Sequence, residues 1–268
     1  MTILLKGTAG SLSLTPSIRK KLGAALGTFS MIHDGDRVMV GVSGGKDSLL
    51  LLEALLQFRR YSPVSFGLAA CTLDMTGGLF DVSPFRSFCE SRDVPFFLRQ
   101  YPILDIVKSR NERSPCSLCA TLRRGILSSA TAEEGYNVLA LGHNFDDAIE
   151  TALLNLLETG RFRSFQPKIW QTRSSVWVIR PLVFASEDAI RDEAGRLGLP
   201  VRKNPCPYGE DTRRKEVKLL IKSLGTVYPN IRNNMMHAPR SIDGADSWRD
   251  RTAPLGHESE ESADDREH

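Results

Sequence analysis

Hydrophobic and polar positions follow two alternating patterns along this chain. Compact apolar runs bounded by turn residues are typical of buried strands, and segments with apolar residues at helical spacing lie between them. The runs predict five strands, at 37–42, 65–73, 95–100, 137–141 and 176–180. Helices are predicted at about 16–29, from the glycine loop to about 60, and at 84–92, 120–134, after 147, after 186 and at 212–224.

Alternation of strands and helices predicts an α/β fold. Strands joined through helices lie parallel, so we expect a five-stranded parallel sheet covered by helices on both faces, with a small helical part at the C-terminal end. Ser186, followed by two acidic residues, has the pattern of a helix N-cap. The stretch 108–115 is polar and is predicted to be a loop leading into the segment Cys116-Ser117-Leu118-Cys119.

The composition agrees with a soluble globular protein and excludes several other classes. Of 268 residues, 41% are apolar and 25% charged, which is unlike collagen-like, mucin-like or wholly disordered chains. The richest apolar run, 49–52, ends at Glu53 and is far shorter than the roughly 20 residues of a membrane helix. Because the N-terminus also lacks the pattern of a secretory signal, we expect a cytoplasmic location and no membrane partner.

Charge is distributed unevenly between the body and the tail. The net charge is +3, but residues 241–268 contain nine acidic and three basic side chains, so the first 240 residues are strongly basic. A basic body indicates a polyanionic partner such as a nucleic acid or a nucleotide. The Ser-, Asp- and Glu-rich tail at 241–268 is predicted to be disordered.

The segment Ser43-Gly44-Gly45-Lys46-Asp47-Ser48 joins the first strand to a Leu-rich helix. It does not match the Walker A loop, since Lys46 stands where the second glycine should be, nor the Rossmann glycine pattern. Small residues at this junction still allow backbone N–H groups and the helix dipole to face an anion. The loop is therefore interpreted as a phosphate cradle, and the alternative is a tight turn without a ligand.

Five cysteines are present, and the absence of a secretion signal argues against a disulfide framework. Cys116 and Cys119 form a C-x-x-C pair, and Cys206 lies downstream between two prolines. From the residues alone, three interpretations remain open: a redox dithiol, a structural zinc site completed by His143, and an iron–sulfur cluster with three thiolates. Cys71 and Cys89 lie in apolar segments and are predicted to be core residues.

Taken together, these motifs resemble the tRNA 2-thiocytidine synthetases, the TtcA family of the PP-loop ATP pyrophosphatases. The S-G-G-x-D-S loop type is matched at 43–48, and the resemblance spans roughly residues 29–224. Asn144 is a departure, because it stands where the family often has a second histidine. The other matching stretches are 31–36, the C-x-x-C with Leu122-Arg123-Arg124-Gly125-Ile126-Leu127, Gly142-His143-Asn144-Phe145-Asp146-Asp147, Ile179-Arg180-Pro181-Leu182 and Pro205-Cys206.

The resemblance implies ATP as co-substrate, Mg²⁺, and a 4Fe–4S cluster held by Cys116, Cys119 and Cys206, with the fourth iron open to hold a sulfide. Lys46 and Asp47 are implied to be catalytic, and Asp47 or Asp147 to contact magnesium. The implied ATP-binding residues are Ser43, Gly44, Gly45, Lys46, Asp47, Ser48, Leu73, Gly142 and Asp147.

The implied substrate is a cytidine of the tRNA anticodon loop, whose carbonyl oxygen is adenylated and then replaced by sulfur. Candidate contacts to tRNA are Arg123, Arg124, Arg214 and Lys218. A separate system such as a cysteine desulfurase would supply the sulfur, and a homodimer is compatible with the family. Other hypotheses are a zinc-containing PP-loop enzyme acting on another base or adding an amine, a cluster-bearing desulfidase, and a non-catalytic cluster protein that binds RNA or senses redox state.

The predicted elements, the composition and the resemblance over 29–224 together give a domain organisation. We expect a helical lead-in at 1–30, a PP-loop ATP-binding domain at 31–185, a C-terminal helical region with the third cluster cysteine at 186–240, and the acidic tail at 241–268.

Overall fold

The computed structural model describes residues 12–110, 115–202 and 212–241. Its strands are β1 (Arg37–Gly41), β2 (Gly67–Asp74), β3 (Phe96–Gln100), β4 (Val138–Ala140), β5 (Lys168–Gln171) and β6 (Val176–Ile179). Its helices are α1 (Pro16–Thr28), α2 (Lys46–Arg59), α3 (Ser83–Glu90), α4 (Ile103–Arg110), α5 (Pro115–Glu133), α6 (Phe145–Thr159), α7 (Glu187–Arg196), α8 (Thr212–Val227) and α9 (Ile231–His237), with a short 3₁₀ helix at Ala238–Arg240.

The strands form one sheet in the order β3-β2-β1-β4-β6-β5. The pairs β1–β2, β2–β3, β1–β4 and β4–β6 are parallel, which confirms the predicted α/β fold. The chain leaves β1 toward β2 on one side, while β4 lies on the other side of β1. The crevice between the carboxyl ends of β1 and β4 is therefore the position where open α/β sheets bind ligands.

The sheet has six strands where the sequence predicted five. The additional strand, β5, pairs antiparallel with β6 at the edge of the sheet. It is only four residues long and none of them is fully buried, so it lacks the apolar run by which the other strands were identified. Ser175, at φ +51°, adopts the left-handed conformation in the turn that joins the two strands.

Each face of the sheet is covered by a separate apolar core. One core contains α2, and leucines 49–52 together with Leu55 have no exposed surface at all. A helix that is apolar on all sides is typical of a buried element, which agrees with its position between the sheet and α7. On the opposite face, Ile103 and Val107 of α4 and Leu127 of α5 pack against Met39 and Leu139.

Two helical segments differ from the prediction near the C-x-x-C. The predicted loop includes the end of α4, because Ile103 and Val107 give that short helix a buried side. Helix α5 begins at Pro115 and not at about 120, and proline is favoured in the first turn of a helix. Cys116 and Cys119 therefore lie on a helix, where they were expected in a short loop.

The C-terminal part of the described chain packs on α6. Val217 and Ile221 of α8 and Met235 of α9 form a third apolar cluster with Ile149 and Leu153. The sequence predicted α8 and did not predict α9. Across the described residues, no helix is long and apolar enough to cross a membrane.

Candidate active site

The loop at 43–48 leaves the carboxyl end of β1 and runs into α2. Ser48 Oγ accepts a hydrogen bond from the Ser43 N–H at 3.1 Å and donates one to the Gly45 carbonyl at 3.0 Å, so the loop is closed on itself. Gly44 has φ +83°, and a Cβ there would lie 2.6 Å from the Phe85 ring. Gly45 is the N-cap, and among the described side chains none caps the start of α2. The first N–H groups of the helix are thus available to an anion.

Gly142 brings the end of β4 against this helix start. A Cβ at Gly142 would lie 2.9 Å from both the Asp47 carbonyl carbon and the Ser48 nitrogen. These neighbours are backbone atoms, which cannot rotate away. Only glycine allows the two halves of the crevice to approach so closely.

A cavity of about 190 Å³ opens where the two halves meet. It brings together several residues that the sequence singled out for ATP and tRNA. Gly44, Gly45 and Lys46 do not line it, although Lys46 lines an adjacent cavity. The lining residues are Gly41, Val42, Ser43, Asp47, Ser48, Leu73, Arg123, Leu127, Leu141, Gly142, His143 and Asp147.

Asn144 connects Asp47 and Asp147, two aspartates that line the cavity. Its side-chain oxygen caps α6 by accepting the N–H groups of Asp146 and Asp147, and Asp147 Oδ2 accepts the Asn144 N–H at 2.9 Å. Asn144 Nδ2 also donates to Asp47 Oδ1 at 2.9 Å. Burial raises the pKa of Asp147. Two carboxylates with oxygen atoms facing a polar cavity have the chemistry that Mg²⁺ prefers.

Lys46 is held between two carboxylates. Its Nζ lies 3.1 Å from Asp47 Oδ2 and 3.2 Å from Glu187 Oε1. Burial acts to lower the pKa of Lys46, but the two carboxylates outweigh it and raise that pKa. Burial likewise opposes ionisation of Glu187, yet Lys218 and Lys46 bring its pKa down to about 2. The group at the phosphate loop is therefore a fixed cation.

A second cavity of about 250 Å³ lies on the other side of these carboxylates, against α8. Arg214 Nη1 lies 3.4 Å from Asp147 Oδ1, and Lys218 Nζ pairs with Glu187. Both basic residues were predicted to contact RNA, and both contact site carboxylates here. Glu150 also lines this cavity, and burial, followed by the nearby Asp147, raises its pKa to about 7.

His143 is a half-buried, neutral imidazole. Its Nδ1 accepts a hydrogen bond from Arg180 Nε at 3.3 Å, and its ring lies 5.1 Å from the Phe165 ring, centroid to centroid. Burial, reinforced by Arg180, lowers its pKa to about 3. Across the described residues no group of three His, Cys, Asp or Glu could hold a metal ion, so His143 does not complete a zinc site with them.

Helix α5 carries both the C-x-x-C pair and two residues that line the cavity. Cys119, Arg123 and Leu127 are spaced four residues apart and so share one helix face. Since Arg123 and Leu127 line the cavity, Cys119 lies about 6 Å farther along the same face. Cys116 and Cys119 are half-buried, and the Cys119 sulfur lies 3.9 Å from the Met75 sulfur. Arg124, the other predicted tRNA contact on this helix, does not line the cavity.

Cys71 and Cys89 differ from this pair in their burial. Cys71 and Cys89 have no exposed surface, which confirms the prediction that they are core residues. Burial raises the pKa of Cys71 to about 12 and that of Cys89 to about 11. Cys206, the third predicted cluster ligand, lies outside the described residues.

The described residues on either side of 203–211 both attach to the site. The Arg202 N–H donates to the Gly44 carbonyl at 2.9 Å, directly on the phosphate loop. On the other side, α8 is fastened by the Arg214–Asp147 and Lys218–Glu187 pairs.

Sequence reasoning missed three residues that the structure brings to the site: Asn144, Glu150 and Glu187. Asn144 carried a local signal, since an Asn followed three residues later by Asp has the pattern of a helix cap with a reciprocal bond. Glu187 was recognised only as part of a helix start, because its partner Lys46 is distant in sequence. Glu150 lies on a predicted helix face, and nothing local indicates the cavity it lines.

Comparison with known proteins gives one family. The PP-loop domain family matches residues 14–219. A relative from Pelobacter propionicus named tRNA-cytidine(32) 2-sulfurtransferase is 39% identical over 235 residues, which cover 86% of this chain and 87% of the relative. A relative of the same name from Bdellovibrio bacteriovorus is 40% identical over 222 residues, covering 82% and 86%.

A solved structure is similar over most of the chain. It is the U34-tRNA thiolase NcsA from Methanococcus maripaludis with its [4Fe-4S] cluster. The TM-score is 0.67 at 25% identity, and the match covers 85% of this chain and 79% of that one.

Proposed function

This chain belongs to the PP-loop family and, within it, to the tRNA-cytidine 2-sulfurtransferases, and from that premise we propose the reaction and the residues that perform it. The enzyme is an ATP-dependent tRNA sulfurtransferase. Its substrate base is a cytidine, at position 32 as in the names of the relatives, and its product is 2-thiocytidine. The observation that carries the proposal is that one face of α5 holds Cys119 of the thiol pair together with Arg123 and Leu127, which line the ATP cavity.

The first half of the reaction makes a leaving group. The cytidine 2-carbonyl oxygen attacks the α-phosphorus of ATP, and pyrophosphate departs. Charge that develops on the phosphates is stabilised by the first N–H groups of α2 and by Lys46, which Asp47 and Glu187 hold as a fixed cation. In the second half, sulfur adds at carbon 2, and AMP leaves with the original oxygen.

Magnesium would be held by Asp47 and Asp147. Both side chains line the cavity, and Asn144 orients them by donating to Asp47 and pairing reciprocally with Asp147. Arg214 already neutralises one oxygen of Asp147, so a bound cation would compete with it. A cation at this position neutralises phosphate charge during adenylation.

The donor set fits an iron–sulfur cluster held by Cys116, Cys119 and Cys206. The first two are half-buried thiols on one helical turn, unlike the fully buried Cys71 and Cys89. When bound, a 4Fe–4S cluster with three protein thiolates supplies an open iron that carries the sulfur atom. The chain's own part is to hold the thiols on the same helix as Arg123, which lines the cavity and whose guanidinium can bind phosphate.

The remaining features are part of the same proposal. Arg124 would bind tRNA phosphate outside the cavity, while Arg214 and Lys218 would do so only after leaving their carboxylate partners. A cysteine desulfurase system supplies the sulfur. The protein acts in the cytoplasm and forms a homodimer.

The test is thiolation of tRNA by anaerobically purified protein. With ATP, Mg²⁺, sulfide and unmodified tRNA, nucleoside mass spectrometry should detect 2-thiocytidine, and omission of ATP should abolish it. Asp47→Asn should remove activity, because it weakens the metal site and the hold on Lys46. Asp192→Asn, an exposed change on α7, is the matched control and should retain activity.

The metal content separates the proposal from its alternatives. The purified protein should contain about four irons with sulfide, and Cys206→Ala should lose them. A colourless protein with about one zinc per chain, active without iron, would contradict the cluster. Iron without any ATP-dependent thiolation would instead indicate a desulfidase or a non-catalytic cluster protein.

A further inference from the structure

Two tryptophans stand exposed on the hairpin formed by β5 and β6. Trp170 is 44% exposed and Trp177 is 36% exposed, although large aromatic side chains usually lie inside. Their ring centroids are 5.1 Å apart, and the two residues face each other directly in the strand register. The Lys168 ammonium lies over the Trp177 ring, 4.7 Å from its centroid. The hairpin therefore presents an aromatic platform beside a cation.

The sequence segment that carries this platform contains no acidic residue. Between Glu158 and Glu187 there is no Asp or Glu, while five basic residues alternate with five aromatic ones. Arg173 is exposed at the turn of the hairpin. The basic residues are Arg161, Arg163, Lys168, Arg173 and Arg180, and the aromatic residues are Phe162, Phe165, Trp170, Trp177 and Phe184.

The same segment extends to the active-site cavity. Phe165 packs on His143, which lines the cavity, and the Arg180 guanidinium lies 4.9 Å from the Phe165 ring centroid. Arg180 directly follows β6, so Trp177 lies about 10 Å from it along the strand. Strand β6 therefore runs from the hairpin to a residue that packs beside the cavity wall.

We propose that this hairpin surface, formed by Trp170, Trp177, Lys168 and Arg173, binds unpaired bases of the tRNA substrate. Exposed aromatic rings stack on bases that are not held in a duplex, and neighbouring cations bind the phosphates between them. This inference rests on the proposed function, since it takes tRNA as the substrate. A second copy of the chain is a poorer occupant, because the segment 159–186 is basic and pairing it with itself would bring like charges together.

Tryptophan fluorescence gives a direct test. The chain has three tryptophans, and the third, Trp248, is removed by Trp248→Phe so that only the hairpin pair reports. Adding tRNA should quench this fluorescence, because stacked bases quench indole emission. The double variant Trp170→Ala/Trp177→Ala should weaken tRNA binding about 5- to 150-fold, the range expected for losing one stacked base. Trp170→Phe/Trp177→Phe should restore most of the affinity, since phenylalanine also stacks.

Tyr61→Ala is the matched control for loss of an exposed aromatic ring. Tyr61 is 52% exposed and follows α2 at its far end, away from the phosphate loop, so tRNA affinity should not change. Light scattering on each variant reports the oligomeric state. Unchanged tRNA affinity in the alanine double variant would overturn the hairpin proposal, as would the absence of quenching in the Trp248→Phe protein or a shift from dimer to monomer that accounts for the loss of affinity.

The two proposals fail in different ways. If the wild-type protein binds and thiolates tRNA but the hairpin variants do so equally well, only the hairpin proposal is wrong. If the wild-type protein neither binds nor thiolates tRNA, the proposed function is wrong and the hairpin proposal falls with it.

Discussion

Gly142→Ala tests whether close approach of two backbones builds the ATP site. The new Cβ would start 2.9 Å from backbone atoms of Asp47 and Ser48, and ordinary contact of about 3.5 Å requires a shift of about 0.6 Å. Overpacking of this kind costs about 1–3 kcal/mol of stability. The displaced group is the first turn of α2, so we also expect ATP-dependent thiolation to fall about 10- to 100-fold.

Gly195→Ala is the control for this substitution. Gly195 lies in α7, and a Cβ added there would meet no atom of the described residues within 4 Å outside its own helix turn. Alanine at this position should therefore raise stability by about 0.5–1 kcal/mol and leave activity unchanged. Urea unfolding gives the stability of each variant, and initial rates of 2-thiocytidine formation give the activity. A Gly142→Ala protein with wild-type stability and rate would refute the argument from backbone contact.

Three further predictions concern other parts of the site. Burial raises the pKa of Glu150 from an ordinary 4.5 to about 7. The stability that the protein has with a neutral Glu150 is therefore fully present below about pH 4.5 and is lost as the pH rises through 7. In urea unfolding, Glu150→Gln should therefore have the stability of the wild type near pH 4.5 and exceed it at pH 8.5 by up to about 3 kcal/mol. The control Glu216→Gln, at an exposed position, should show no such gain at pH 8.5. Iodoacetamide should label Cys119 in the metal-free protein well before Cys71, whose pKa is about 12; equal rates, read by peptide mass spectrometry, would contradict the assigned burial. Asn144→Ala removes the α6 cap and should lower the thermal midpoint, at a cost of about 1 kcal/mol; an unchanged midpoint would show that the cap is redundant.

The parallel sheet was predictable because its strands and helices carry their own local patterns. The apolar run of α2 and the turn residues at 43–48 identify a strand, a loop and a buried helix without any knowledge of the rest of the chain. Strand β5 carries no such pattern, because a four-residue edge strand needs little apolar surface and takes its register from β6. Helix α9 is short and is buried mainly through Met235, so it depends on packing that the sequence does not reveal.

The residues of the site likewise divide into those that a local sequence pattern indicates and those that only the fold brings together. Ser43, Asp47 and Gly142 were recognisable because each follows a strand, and the carboxyl ends of parallel strands meet. The ion pairs of Glu187 with Lys46 and Lys218 join three elements that are far apart in the chain. A stripe of basic residues on a predicted helix does not reveal whether solvent, RNA or a carboxylate lies opposite, and only the fold decides this.

The anchors on both sides of residues 203–211 have a thermodynamic consequence. One anchor is the bond from Arg202 to Gly44 on the phosphate loop, and the other is the set of ion pairs between α8 and the site carboxylates. A ligand at Cys206 that shifts either anchor would change the affinity of the phosphate loop for nucleotide. By reciprocity, nucleotide at the loop would then change the affinity of that ligand by the same factor. The two affinities would be two measurements of one coupling free energy.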